Sequence, residues 1–420
     1  MLASFLIALL PQFADASMQS LEARLLDRSN SSEVRVRILE ELAMRDGAVS
    51  WEACEAAKSV ARGPWTIDYV RLLGRAGEPA LPELRKYARS RTDLIRAEAV
   101  YGLVRSDAAE GESIARERVH ARNEPIEARI AALRGLADRG SILTRVESLR
   151  QLGQGVPASL QLEAIEILGR SPTDDDIPYL IDVVDQAEGR VQSAAVALLQ
   201  RITGYRIGAD ARSWRYFFMK HEVEGSAFRR DAGPAEASHQ TLSYMGVPIE
   251  GERIVFVLDA SGSMNAPLAE RTRETRGSRA VSELAELLPR LPRSASFDIL
   301  FFESKIEGFS GGRLVPCEEK RIAAADAWLG ERAFDGGTNL YGGLEEAFAR
   351  KGVEEVILLT DGMPSVGEVQ DPHRILAWVQ RWNRWRKVRV STIGLSAPRQ
   401  ADRFLSKLAE QNGGVYRAIR

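Results

Sequence analysis

The sequence is poor in the residues that build staples and soft metal sites. Only Cys54 and Cys317 occur in 420 residues, and they fall in different expected domains, so a disulfide scaffold is excluded, while two cysteines do not fix the redox compartment. The four histidines, His120, His221, His239 and His373, are scattered without ligand spacing, which argues against a zinc centre. Net charge is nearly absent at −2, and nucleic-acid binding normally needs a basic face. No Gly-x-x-x-x-Gly-Lys-Ser/Thr phosphate loop occurs. No stretch beyond the first residues is long and apolar enough to span a membrane, so no stable span is expected. What remains is an ordinary globular composition, 45% hydrophobic and 28% charged, with room for two or three domains.

The N-terminus is set apart. Leu2 to Leu10 is a short apolar segment, Pro11 breaks it, and Ala14-Asp15-Ala16 fits a small-x-small cleavage site. The pattern predicts a signal peptide over 1–16 and a mature chain starting near Ser17, hence a secreted or periplasmic protein. No Lys or Arg precedes the apolar run, and no cysteine follows Ala16 to carry a lipid. The alternative is a first helix of the next domain, in an intracellular assembly factor.

From about Ser20 to His221 the chain is rich in Ala, Leu, Arg and Glu at helical spacing. Similar segments surround Leu42, Leu73, Leu103, Leu136, Leu168 and Leu199, at a spacing of roughly 30 to 33 residues that suits a helical solenoid. Two turns place proline before an apolar helix, at Pro79–Pro82 and at Pro178, where the missing donor costs nothing. The pattern resembles short HEAT-like repeats. A helix pair of this kind buries its apolar face only by stacking on neighbours, which gives a scaffold for protein binding over 17–222. Trp214, Tyr216, Phe217 and Phe218 are expected to close its end. Residues 223–248 read as a linker, with Leu242 to Ile249 turning apolar again.

The last domain, 249–420, alternates apolar runs with helical patterns and predicts a doubly wound α/β fold with a mostly parallel sheet. Ile254 to Leu258 is a buried-strand run ending in Asp259-Ala260-Ser261-Gly262-Ser263. The oxygens of Asp259, Ser261 and Ser263 alternate and can converge on a hard divalent cation at the carboxyl end of the strand. A glycine-rich loop, Asp335-Gly336-Gly337-Thr338, delivers a hydroxyl, and a second run, Val356 to Thr360, ends in Asp361. These motifs resemble the von Willebrand factor type A domain from about Arg253 to the C-terminus. The resemblance implies a metal-ion-dependent adhesion site with Ser261 and Ser263 as direct ligands. Thr338 would bind directly or through water, and Asp259 and Asp361 mainly through bound waters. It also implies Mg2+, with Mn2+ able to substitute, and a protein partner that presents Asp or Glu to the ion.

Arg271, Arg273 and Arg276 follow in a loop expected near that site, either solvated or attracting an acidic partner. On the segment Arg374 to Lys387, Ile375, Trp378, Val379, Trp382 and Trp385 have core spacing, with Arg381, Arg384, Arg386, Lys387 and Arg389 as a solvated flank. One motif competes for function. Gly308-Phe309-Ser310-Gly311-Gly312 matches Gly-x-Ser-x-Gly, and Asp361 and His373 follow in hydrolase order. An elbow needs a helix directly after the serine, whereas this segment leads into Arg313-Leu314-Val315 and reads as a hairpin turn. The favoured class is therefore a binding protein rather than an enzyme, with a metal- or Ser310-dependent hydrolase as the alternative.

Overall fold

The computed structural model describes residues 16–224, 242–268 and 274–420. The expected signal peptide and most of the expected linker lie outside the described residues. The chain divides between Tyr179 and Leu180 into two compact units.

The first unit is all helical. Helices Ser32–Met44, Thr66–Leu73, Asp93–Ser106, Ile126–Arg139 and Ala158–Arg170 alternate with Trp51–Lys58, Leu81–Tyr87, Gly111–His120 and Thr144–Arg150. Their starts are set locally. Ser31 accepts from the Val34 amide and Ser50 from the Ala53 amide, satisfying donors that the first turn leaves open. The recurring leucines Leu42, Leu73, Leu103, Leu136 and Leu168 are all buried. Arginines tie two of these segments to the one before. Arg75 donates to the carbonyls of Leu42 and Gly47, and Arg139 to those of Val104 and Asp107. Gly74 and Gly102 meet almost backbone to backbone; a Cβ on Gly102 would lie 2.8 Å from the Gly74 Cα.

The second unit begins with helical segments and continues into the sheet. Helix Gly189–Thr203 reads from sequence as the last repeat, yet Arg190 donates to the carbonyls of Glu354 (3.0 Å) and Lys387 (2.9 Å) at the amino end of the sheet. The division between Tyr179 and Leu180 falls ahead of the expected 223–248 linker. The expected end cap is only partly closed: Trp214 is buried and donates to the Gly208 carbonyl, and Phe217 packs on Tyr205, but Tyr216 is 68% exposed.

The apolar segment after the linker is a small hairpin, β1 (Ser243–Tyr244) and β2 (Val247–Pro248). The main sheet runs β5-β4-β3-β7-β8-β9, with β6 also on β4. Its strands are β3 (Arg253–Asp259), β4 (Ser296–Phe302), β5 (Ile306–Gly308), β6 (Val315–Pro316), β7 (Glu355–Thr360), β8 (Arg389–Leu395) and β9 (Gly413–Ile419). β3, β4, β7, β8 and β9 are parallel; β5 and β6 pair antiparallel with β4. Alternation along β3 supplies two cores. Ile254, Phe256 and Leu258 face helices Arg276–Leu287 and Glu319–Gly330, while Val255 and Val257 face Leu340–Ala349, Pro372–Asn383 and Arg399–Gln411.

The expected arginine flank is corrected in part. Arg381 is 1% exposed and lies over the Trp378 ring at 4.4 Å, and Arg389 is buried in an ion pair with Glu250 at 2.5 Å. Both carry long apolar stems, and their heads find a ring face and a carboxylate rather than water. Among the described residues no helix is long and apolar enough to cross a membrane.

Candidate metal centre

Strand order reverses at β3: β4 lies on one side of it and β7 on the other. In an open α/β sheet the crevice at such a point, outside the carboxyl ends of the strands, is where ligands bind. Asp259 is the last residue of β3, and Asp361 directly follows β7. The topology thus brings together two carboxylates separated by about a hundred residues of chain.

Each carboxylate is held by named donors. Asp259 is fully buried; its Oδ1 accepts from the Ser261 amide (2.8 Å) and its Oδ2 from the Thr360 hydroxyl (2.5 Å). Burial pushes the Asp259 carboxyl up to about 6, against those hydrogen bonds, and the neighbouring Asp361 adds to the rise. Asp361 Oδ1 accepts from the Ser263 hydroxyl (2.8 Å), and its Oδ2 accepts from Arg276 Nη1 (2.7 Å). The hydroxyls of Ser261 and Ser263 stand 3.0 Å apart. Four of the five expected residues are therefore linked through direct hydrogen bonds.

Thr338, the fifth, arrives on its loop. The Asp335 amide donates to the Ala260 carbonyl (2.8 Å), and the Gly262 amide to the Gly336 carbonyl (3.2 Å). The Thr338 amide donates to the Ser365 hydroxyl (2.9 Å), and its carbonyl accepts from the Ser365 amide (3.0 Å). Gly336 has a φ of 75°, a left-handed turn that glycine adopts without strain. The loop is stitched on both sides, with Thr338 buried in it.

This donor set fits a small hard cation. It offers two nearly buried carboxylates, one of them paired with a guanidinium, and neutral hydroxyls besides. Among the described residues no group of three or more His, Cys, Asp and Glu could hold a metal.

Sequence reasoning missed Thr360 and Ser365, which position Asp259 and Thr338. Thr360 carried a signal: it is a polar residue that closes the apolar run of β7, next to Asp361. Ser365 carried none. The hydrolase constellation is not assembled. The Ser310 hydroxyl donates to the Arg313 carbonyl within a turn and its amide to Asp298, while Asp361 is engaged by Ser263 and Arg276.

Comparison with known proteins gives a family match over the sheet unit. Residues 252–418 match the von Willebrand factor type A domain family. The inter-alpha-trypsin inhibitor heavy chain H1 of Mesocricetus auratus is 31% identical over 147 residues, 32% of this chain and 15% of that one. Heavy chain H4 of Sus scrofa is 28% identical over 181 residues, 40% of this chain and 18% of that one. The chain thus spans less than a fifth of the length of these curated relatives. Among solved structures, a von Willebrand factor type A protein from Catenulispora acidiphila aligns at 23% identity over 41% of this chain and 40% of that one, with a TM-score of 0.33. The manganese-loaded Plasmodium vivax TRAP protein aligns at 19% identity over 38% of this chain and 62% of that one, with a TM-score of 0.29. The assignment rests on the family match together with the strand order, and by both, residues 252–418 are a von Willebrand factor type A domain.

Proposed function

We propose that the protein is an exported binding scaffold whose sheet domain engages an acidic residue of a partner protein through a divalent cation. Ser261, Ser263 and Thr338 would supply the direct oxygens, with Asp259 and Asp361 holding the surrounding waters. Mg2+ is the favoured ion and Mn2+ a substitute. When bound, the ion supplies an electron-poor position for one more anionic oxygen, because its direct ligands are neutral.

The observation that carries the reading is the convergence of two serine hydroxyls and two carboxylates at the sheet's switch point. The chain's own residues do the preparatory work. Thr360 and the Ser261 amide orient Asp259, and Ser263 orients Asp361. Preset geometry of this kind reduces the ordering cost of binding. The helical unit would add protein-binding surface as a HEAT-like array, since stacked helix pairs leave extended faces free.

Calorimetry with MgCl2 on the wild type and on Asp259→Ala tests the site. Binding by the wild type with a loss of about 10- to 100-fold in the variant is expected; equal binding by both refutes the assignment. EDTA added to an isolated partner complex tests the second step. A complex indifferent to EDTA would transfer partner binding to the helical unit.

A further inference from the structure

The Arg276 guanidinium has no place in the proposed ligand set, yet it sits on one of its carboxylates. Asp361, whose side chain is 1% exposed, has both oxygens engaged within the chain: Oδ1 by the Ser263 hydroxyl and Oδ2 by Arg276 at 2.7 Å. We infer that Arg276 is a built-in counter-charge that the cation must work against, so that it sets the cation affinity of this site. The inference rests on the proposed cation site and deepens it.

Arg276 is held in place by its surroundings. It is the first residue of helix Arg276–Leu287, behind a Thr275–Ser278 capping box, and its amide donates to the Ala266 carbonyl at 3.0 Å. The next residue, Gly277, lies against the Phe334 ring, where a Cβ would come within 2.5 Å. The helix start therefore cannot shift without displacing Phe334, which leads into the loop carrying Thr338. The Arg276 side chain is only 21% exposed.

The electrostatics give the direction. A guanidinium keeps its charge at any accessible pH. Two carboxylates and one guanidinium leave the centre with one net negative charge rather than two. A divalent cation is then attracted less strongly, and the loaded centre stays net positive instead of neutral. A site that is positive when loaded attracts a further carboxylate. Weak cation affinity alone and strong affinity for cation plus acidic partner are thus two results of one residue, coupled as linkage requires.

The test uses the full chain, with MgCl2 and MnCl2 as probes. Calorimetry compares wild type, Arg276→Gln and Arg276→Lys, and thermal unfolding of each is followed in EDTA and in saturating Mg2+. Arg276→Gln should bind the ion about tenfold more tightly, the scale on which groups around metal ligands act, and Arg276→Lys should stay near wild type. In EDTA the Gln variant should melt below wild type, and Mg2+ should close that gap by replacing the lost positive charge. Equal affinities, with a melting gap that Mg2+ does not narrow, would make Arg276 a purely structural residue and overturn the inference while leaving the cation site standing. A Gln variant that folds only with Mg2+ supports the inference; one that folds in neither condition overturns it. No binding by any of the three proteins would remove the cation site and the inference together.

Discussion

In the helical unit Glu98, Glu163 and Asp176 are buried carboxylates, and each meets an arginine from one repeat earlier: Arg71, Arg134 and Arg145. In the sheet unit the two ends of the sheet differ. At the amino end Glu355 is fully buried, and its Oε2 accepts from the amides of Glu250 and Gly251 while Arg389 lies beside it. At the carboxyl end Asp361 has one arginine and the Ser263 hydroxyl, while Asp259 is held by the Thr360 hydroxyl and the Ser261 amide. Burying an uncompensated charge is expensive, and the chain avoids it wherever its task is only to hold a shape. Asp259 and Asp361 have one arginine between them, on Asp361, and this shortfall of positive charge is what the proposed cation would fill.

The comparison breaks most visibly where a buried pair is cut. Arg350 donates from Nε to the buried Asp298 (2.7 Å), and Arg71 pairs with Glu98 at the same distance. Arg350→Ala and Arg71→Ala should each cost about 3–5 kcal/mol, because a charge stays behind in the interior. Hydrogen exchange read by mass spectrometry should locate each loss. Arg71→Ala should open helices Thr66–Leu73 and Asp93–Ser106 and leave the sheet peptides protected, since stacked helices depend on their neighbours. Arg350→Ala should open β4 and β5. Losses that spread evenly over both units would contradict two separate compact bodies.

Asp259→Ala should behave in the opposite way. It removes a carboxylate whose charged form burial already disfavours, so the protein in EDTA should melt close to wild type while cation affinity falls about 10- to 100-fold. A collapse of stability in EDTA would make Asp259 a folding residue like Asp298 and erase the contrast between the two kinds of carboxylate.

Much of this was legible in the sequence because it is written in short periods. Apolar runs ending in Asp259 and Asp361 mark buried parallel strands, and the alternation of Asp259, Ser261 and Ser263 marks a turn of converging oxygens. The helical unit shows itself through leucines that recur once per repeat. The remainder depends on contacts with no local pattern. β5 is three residues with little apolar character, made a strand by pairing with β4. Arg190 lies in a helix whose composition matches the repeats, yet it reaches the Glu354 and Lys387 carbonyls, and the chain divides at Tyr179. Arg276 looks like any loop arginine until the fold sets it against Asp361, 85 residues away.

The smallest effect is expected at the edge of the sheet unit, where the hairpin joins the core. Tyr244 is 1% exposed; its hydroxyl donates to the Ala280 carbonyl at 2.8 Å, and its ring meets Phe256 edge-on at 5.7 Å. The hydroxyl therefore ties β1 to the helix that begins with Arg276. Tyr244→Phe keeps the ring and its contact with Phe256 but deletes the donor. A neutral hydrogen bond of this kind contributes about 0.5–1.5 kcal/mol, a loss the rest of the core can absorb. Exchange protection should fall in β1, β2 and the first turns of helix Arg276–Leu287, and stay unchanged in the helical unit. If Arg276 is positioned from this side, cation affinity should also change by a small factor, because the start of its helix becomes freer to move. Unchanged protection in that helix would mean that the capping box and Phe334 alone hold Arg276 in place, and that the hairpin adds only apolar cover.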